Sequence, residues 1–268
     1  MSSRRRLSVS GWVECSLVDV VGSVTFTVWL SYCNFRCPWC QNSHVVSGEG
    51  SKLVDAAEIV REAAAYAPFI DYVHVTGGEP TLQAEGLRAL FEGAKREGLK
   101  TSLDTNASNP QVIEDLARSG LLDHVAMDVK APLSDPERYA EAVGLDLDNF
   151  LRADYCAKIA RSIELSLKLV SAVELRVPVV PTLHDEPCVV RTLRELKEMV
   201  DERGSWEGVN VVLQQFVPSD TVMSERFRSL PRTPIELLHR LATRAVRELG
   251  FKAIYVRSLD RGVERFEG

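Results

Sequence analysis

Three cysteines crowd into the eight residues Cys33-Asn34-Phe35-Arg36-Cys37-Pro38-Trp39-Cys40, a C-x3-C-x2-C spacing. Thiolates this close in sequence can converge on one soft metal centre. Two centres suit the spacing. Zinc would take a fourth ligand, and His44 follows Cys40 to give C-x3-C-x2-C-x3-H. A [4Fe–4S] cluster would take three thiolates and keep one iron open to an outside ligand. Spacing alone does not separate the two. Cys15, Cys156 and Cys188 have no partner spacing and read as small, mostly buried thiols.

Other polar groups gather where apolar runs end. Thr76-Gly77-Gly78-Glu79-Pro80 pairs two glycines, which let backbone approach a ligand closely, with a carboxylate suited to an ammonium. Leu103-Asp104-Thr105-Asn106 and Met127-Asp128-Val129-Lys130 close two further runs. Asp128 and Lys130 point the same way if the strand period of two persists. Arg176 sits in Glu174-Leu175-Arg176, and Gln214-Gln215 ends another run. Singly, each has a dull explanation: a turn, a helix cap, a surface ion pair. Jointly they fall at the C-terminal ends of successive strands, where β/α barrels place their active sites.

The elements that must position them alternate. Strands are predicted at Val24–Leu30, Tyr72–Val75, Lys100–Asp104, Val125–Met127, Leu175–Val180, Val209–Leu213 and Ala253–Val256. Val13–Val20 pairs with the first as a hairpin through Val21-Gly22-Ser23. Helices carry boundary signals: a capping box at Asp55 and Glu58, Asn109 before Pro110, Gly closures at Gly98, Gly120 and Gly204, and Thr233-Pro234 with Glu236. One helix is expected over 149–170, and the loop from Ala131 to Asp148 is the longest interruption. Strand–helix alternation implies a parallel sheet with outer helices and right-handed crossovers. The expected fold is α/β, a partial (β/α)6 TIM-like barrel over 1–217, its N-terminal hairpin at 11–31, with a short C-terminal α/β extension over 218–268.

Composition sets bounds. The 268 residues carry 32 Lys+Arg and 38 Asp+Glu, a formal charge of −6, which speaks against bulk-charge binding of nucleic acid. No apolar run reaches the roughly 20 residues of a membrane span, and no apolar signal core follows Met1-Ser2-Ser3-Arg4-Arg5-Arg6. A cytoplasmic chain is the expectation, and there clustered cysteines mean metal or redox chemistry.

The C-x3-C-x2-C run with Trp39 before its last cysteine, together with Gly77-Gly78-Glu79, resembles the radical S-adenosylmethionine superfamily. Gly11-Trp12 through Val18-Asp19, Cys33 through Asn42, and Met127-Asp128-Val129-Lys130-Ala131-Pro132 resemble one branch of it: activators of anaerobic ribonucleoside-triphosphate reductase, kin to pyruvate formate-lyase activating enzyme. The likeness covers residues 11–217.

The resemblance implies that Cys33, Cys37 and Cys40 ligate a [4Fe–4S] cluster whose fourth iron binds S-adenosylmethionine. Glu79, with Gly77 and Gly78 backbone, would hold the methionine ammonium, and Trp39 would lie near the adenine. Asp104 and Asp128, helped by Thr105, would line the pocket and hold a monovalent cation. Lys130 and Arg176 would face the cofactor carboxylate. Gln214 stands where formate-lyase activators carry a histidine. The implied partners are a glycyl-radical enzyme, above all anaerobic ribonucleotide reductase, and a one-electron donor such as flavodoxin or ferredoxin. A laterally incomplete barrel would admit the partner's glycine loop. Two alternatives stand beside this reading: a small-molecule enzyme like 7-carboxy-7-deazaguanine synthase, which shares Thr76–Pro80, and a non-catalytic zinc module using His44. His74 and His239 read as structural; His184 follows a strand and could reach the pocket.

Overall fold

The computed structural model describes residues 5–268, so Met1–Arg4 of the Met1–Arg6 stretch lie outside the described residues. The first strand, β1 (Arg6–Ser16), pairs antiparallel with β2 (Thr25–Leu30). It begins seven residues earlier than the predicted hairpin arm (Arg6 against Val13), and β3 (Lys52–Asp55) pairs with its N-terminal half. Leu53 is exposed on β3, so the apolar alternation that marks strands elsewhere is missing there.

Six parallel strands then follow the expected order: β2, β4 (Tyr72–Gly77), β5 (Lys100–Thr105), β6 (His124–Asp128), β7 (Ala172–Val179) and β8 (Val209–Gln215). Helices α2 (Ala56–Ala65), α3 (Ala84–Arg96), α4 (Pro110–Arg118), α7 (Tyr155–Leu169) and α8 (Glu186–Arg203) make the crossovers. The short α1 (Ser43–Ser47) follows the cysteine run. This is the expected partial (β/α)6 barrel. After β8 come α9 (Glu225–Arg228), α10 (Ile235–Arg247) and β9 (Ala253–Ser258), and β9 pairs parallel with β8 as a seventh strand of the same run. A closing antiparallel strand, β10 (Gly262–Glu267), makes the sheet edge.

The strand period of two sorts the residues. Val73, Val75, Leu103, Val125, Met127, Leu175, Val177, Val211 and Leu213 face the helices and are buried in the main core. Their neighbours His74, Thr76, Ser102, Asp104, Asp128, Glu174, Arg176 and Gln214 turn to the inner face. The inner face is polar because it encloses a cavity, and that is what exposes the motifs at the strand ends.

Three local expectations are corrected. The helix over 149–170 is two helices, α6 (Leu147–Arg152) and α7, broken at Asp154, whose φ is 53°. The 131–148 loop contains α5 (Pro136–Val143), capped by Asp135 and closed by Gly144. Asn109 and Thr233 do not cap by side chain: Asn109 donates to the Thr81 hydroxyl at 2.8 Å, and Thr233 accepts from Phe216 N while donating to Val179 O. Asn109 is thereby tied to the turn after β4, and Thr233 to β7 and the residue after β8. Among the described residues no helix is long and apolar enough to cross a membrane.

Candidate active site

One cavity of about 460 Å3 is lined by residues from the C-terminal ends of all seven parallel strands. Cys33, Cys37, Trp39 and Cys40 form one side; Gly77, Gly78, Asp104, Thr105, Asp128, Lys130, Arg176 and Gln214 line the rest. Of the sequence-predicted site residues only Glu79 stays off the lining.

The cysteine wall is built by backbone. Gly78 N donates to Leu30 O and Glu79 N to Tyr32 O, each at 2.8 Å. A Cβ on Gly77 would sit 2.2 Å from Leu30 O, and one on Gly78 would sit 2.0 Å from Tyr32 O. So the glycines are required by the close approach of β4 to the chain entering the cysteine run, and not by a ligand alone. Gly77 also holds a φ of +127°, which side chains rarely adopt.

Glu79 is fully buried behind this wall. Its Oε1 accepts from Thr81 N at 3.0 Å and Thr105 Oγ1 at 2.8 Å, and its Oε2 from Asn106 N at 2.6 Å. Burial pushes this carboxyl up, against the pull of those donors. The carboxylate expected to be open to an ammonium is instead a knot joining β4 to β5.

The other wall is ion-paired. Arg176 is buried and donates to Glu174, to Asp104 Oδ2 at 2.7 Å and to Asp19 O at 2.6 Å. Burial opposes the charge of Asp104, but Arg176 and His74 outweigh it and hold the carboxyl far below its ordinary range. Lys130 is buried too; its Nζ lies 2.7 Å from Asp128 Oδ2 and 5.3 Å above the Trp39 ring. Asp128 and Lys130 thus share a face, as the strand period predicts. Trp39 Nε1 donates to Ala142 O at 2.9 Å, which fixes the ring at the rim.

Sequence reasoning missed three parts. Arg257 of β9 reaches the cavity and lies 3.0 Å from Glu174; its strand period was readable, but nothing indicated that β9 joins this sheet. Val18 and Asp19 of the β1–β2 turn also line the cavity. A strap over 217–224 ties the cysteine run to β8: Met223 N donates to Cys40 O at 2.8 Å, Ser224 N to Pro38 O at 2.9 Å, and Ser43 Oγ to Thr221 O at 2.6 Å. A small core of Val180, Phe216, Val222 and Phe227 packs it against Trp39.

Several residues leave the site. His44 is exposed on α1 and off the cavity lining, so it does not complete a zinc set. His184 is buried and spent on structure, accepting from Val180 N at 3.0 Å and donating to Lys130 O at 2.7 Å. Gln215 lines the cavity but is held by Thr233 O and Leu259 N. Cys15 is exposed, against expectation, because its arm of β1 lies beyond the core; Cys156 is half-buried and Cys188 buried.

The thiols suit a soft, cationic centre. Burial pushes Cys33 up to about 11 and Cys37 to about 12, and raises Cys40 as well. Such thiols ionise when a positive centre compensates them. N–H groups already point at the sulfur of Cys33, from Phe35 N at 3.3 Å and Asn106 Nδ2 at 3.8 Å. Among the described residues no group of three Cys, His, Asp or Glu is gathered closely enough for a single metal ion.

Comparison with known proteins places the chain. The signature of the Radical SAM superfamily matches residues 28–189. A putative glycyl-radical enzyme activating enzyme of Methanocaldococcus jannaschii is 31% identical over 223 residues, 83% of this chain and 85% of that protein. The 7-carboxy-7-deazaguanine synthase of Hyperthermus butylicus is 36% identical over 124 residues, 42% of this chain and 52% of that one. Among solved structures, TYW1 with a lysine-pyruvate adduct bound superposes with a TM-score of 0.60, covering 91% of this chain and 79% of that one at 14% identity, a likeness of fold.

Proposed function

The chain belongs to the radical SAM superfamily, and from that premise we propose that it turns its radical on a small polar molecule held inside the barrel. A radical SAM enzyme generates a 5′-deoxyadenosyl radical. In this proposal Cys33, Cys37 and Cys40 hold a [4Fe–4S] cluster. When bound, and given one electron by an external donor of the flavodoxin or ferredoxin class, the cluster and S-adenosylmethionine would supply cleavage of the S–C5′ bond to methionine and a radical able to take a hydrogen atom from the substrate.

The chain's own residues bind and orient. Gly77 and Gly78 present main chain to the methionine ammonium, and Glu79 fixes that main chain from behind. Trp39 borders the adenine. Asp104, Thr105, Asp128, Lys130, Arg176 and Gln214 surround the ribose and carboxylate, where Arg and Lys complement negative charge. The strap packs against Trp39 and holds it at the rim.

The observation that carries the small-molecule reading is a set of orphaned polar atoms. His74 Nε2, Asp104 Oδ1, Glu174 Oε2 and Arg257 Nε are buried without a hydrogen-bond partner, and Asp104 and Arg257 line the cavity. Buried polar atoms want partners. A polar molecule reaching between β5 and β9 would supply partners for Asp104 and Arg257, whereas β9 and the strap occupy the side on which a partner's loop was expected to enter. The partial likeness to the deazaguanine synthase supports this reading.

Activation of a glycyl-radical enzyme is the second reading, favoured by the relative matched over most of both chains. The test reduces the reconstituted protein with S-adenosylmethionine, then adds either a low-molecular-weight cell extract or an anaerobic ribonucleotide reductase. Stimulated 5′-deoxyadenosine formation with the extract, and no glycine-centred paramagnetic doublet on the reductase, is the expected result. A doublet on the reductase overturns it in favour of the second reading.

A further inference from the structure

We infer that Arg176 is the resident cation of this pocket, standing where the family resemblance leads one to expect a bound monovalent ion. The inference rests on the cofactor assignment proposed above.

A hard cation needs several oxygen ligands free to turn toward one point. The three residues expected to supply them each have an oxygen engaged elsewhere, and Asp104 Oδ1 alone among their buried oxygens is left without a partner. Asp104 Oδ2 receives Arg176 Nη1 at 2.7 Å and Thr76 Oγ1 at 3.3 Å. Asp128 Oδ2 receives Lys130 Nζ at 2.7 Å. The Thr105 hydroxyl donates to Glu79 at 2.8 Å and accepts from Ala107 N at 3.1 Å. One unpartnered oxygen, between carboxylates that already hold the buried cations Arg176 and Lys130, does not make a site for a further ion.

Arg176 does what such an ion would do. Its guanidinium reaches three parts of the barrel at once: Asp104 on β5, Glu174 on its own strand β7, and Asp19 O in the β1–β2 turn. Glu174 then passes to Arg257 on β9 at 3.0 Å. The result is an alternating row, Arg257, Glu174, Arg176, Asp104, in which every charge has an opposite neighbour. A planar guanidinium bonds several acceptors at fixed angles, so it orders the pocket as well as neutralising it.

The consequence is that S-adenosylmethionine binding does not require sodium or potassium. The affinity of the reconstituted holoprotein is measured by equilibrium dialysis in choline chloride and in potassium chloride of equal ionic strength, so that screening is constant. The expected change is less than about three-fold; tightening of about ten-fold in potassium overturns the inference. Arg176→Gln opens the acceptors, and in it affinity is expected to drop about ten-fold in choline and recover at least about three-fold in potassium; a drop that potassium does not restore overturns it.

A thermal reading covers the case in which Arg176→Gln fails to fold or the wild type binds no S-adenosylmethionine in either salt. No binding in either salt refutes the cofactor assignment. Independently, exchange of choline for potassium is expected to leave the melting temperature of the metal-free wild type unchanged. A saturable rise of more than about 3 °C would reveal an ion site and overturn the claim for Arg176.

Discussion

The two walls of the cavity are held by different physics. The cysteine wall is fixed by main chain: β4 lies so near the chain leaving β2 that only glycine fits at Gly77 and Gly78, and the strap adds further backbone bonds to Pro38 and Cys40. The facing wall is fixed by side chains, through Arg176, Asp104, Glu174 and Arg257. Near the thiols of the first wall lies Lys130, a cation already paired to Asp128; the second wall is already self-compensated. A site of this kind invites a cationic centre to one side only, and the other side recognises and orients what arrives.

This contrast can be broken from either side. Gly78→Ala should do the most damage, because its Cβ would meet Tyr32 O at 2.0 Å and main chain cannot yield cheaply. A loss of about 4 kcal/mol in urea unfolding is expected, against no comparable loss for Gly11→Ala, where nothing lies near. On the charged wall, Glu174→Gln leaves two guanidiniums facing an amide. With Glu174 almost fully buried, about 3 kcal/mol is expected to be lost.

Acid bears on both walls at once, and over pH 7 to 5 the two histidines together are expected to cost about 4 kcal/mol. Burial holds His124, behind the charged wall, and His184, beside the cysteine wall, down to about 4. Both are neutral in the fold and bind protons more readily when unfolded. Their contribution to stability is complete above the ordinary histidine value near 6.5 and is lost as pH falls toward about 4. The slope expected in this window is about 1.4 kcal/mol per pH unit for each histidine. Urea midpoints at pH 7 and pH 5 measure it; a flat response would contradict the burial of both rings. Smallest of all, His44→Ala should shift stability by less than about 0.5 kcal/mol and leave iron content unchanged, since His44 is exposed and off the cavity.

Much of this was legible from residues. The parallel strands were readable because their helix-facing positions are Val, Leu and Met, and the site because chemistry-bearing residues end strand after strand. Asp128 and Lys130 were paired correctly by the strand period alone. What failed were features decided by tertiary contacts. The roles of the glycines depend on which backbone lies opposite, and Glu79 looks available until Thr81, Thr105 and Asn106 fold onto it. Arg257 could not be placed without knowing that β9 extends the sheet, and the strap over 217–224 has no periodicity to announce it. Asn109 and Thr233 carry good capping signatures, yet nearby loops claim their side chains.

In the function proposed, the three thiols of one wall hold a cluster that cleaves S-adenosylmethionine. The most direct measurement is iron, sulfide and 5′-deoxyadenosine on anoxically reconstituted wild type and Cys37→Ala, reduced with dithionite. About four irons and four sulfides with cofactor cleavage are expected in the wild type, and loss of cleavage in Cys37→Ala. About one zinc without sulfide in the wild type, or undiminished cleavage in Cys37→Ala, would contradict it.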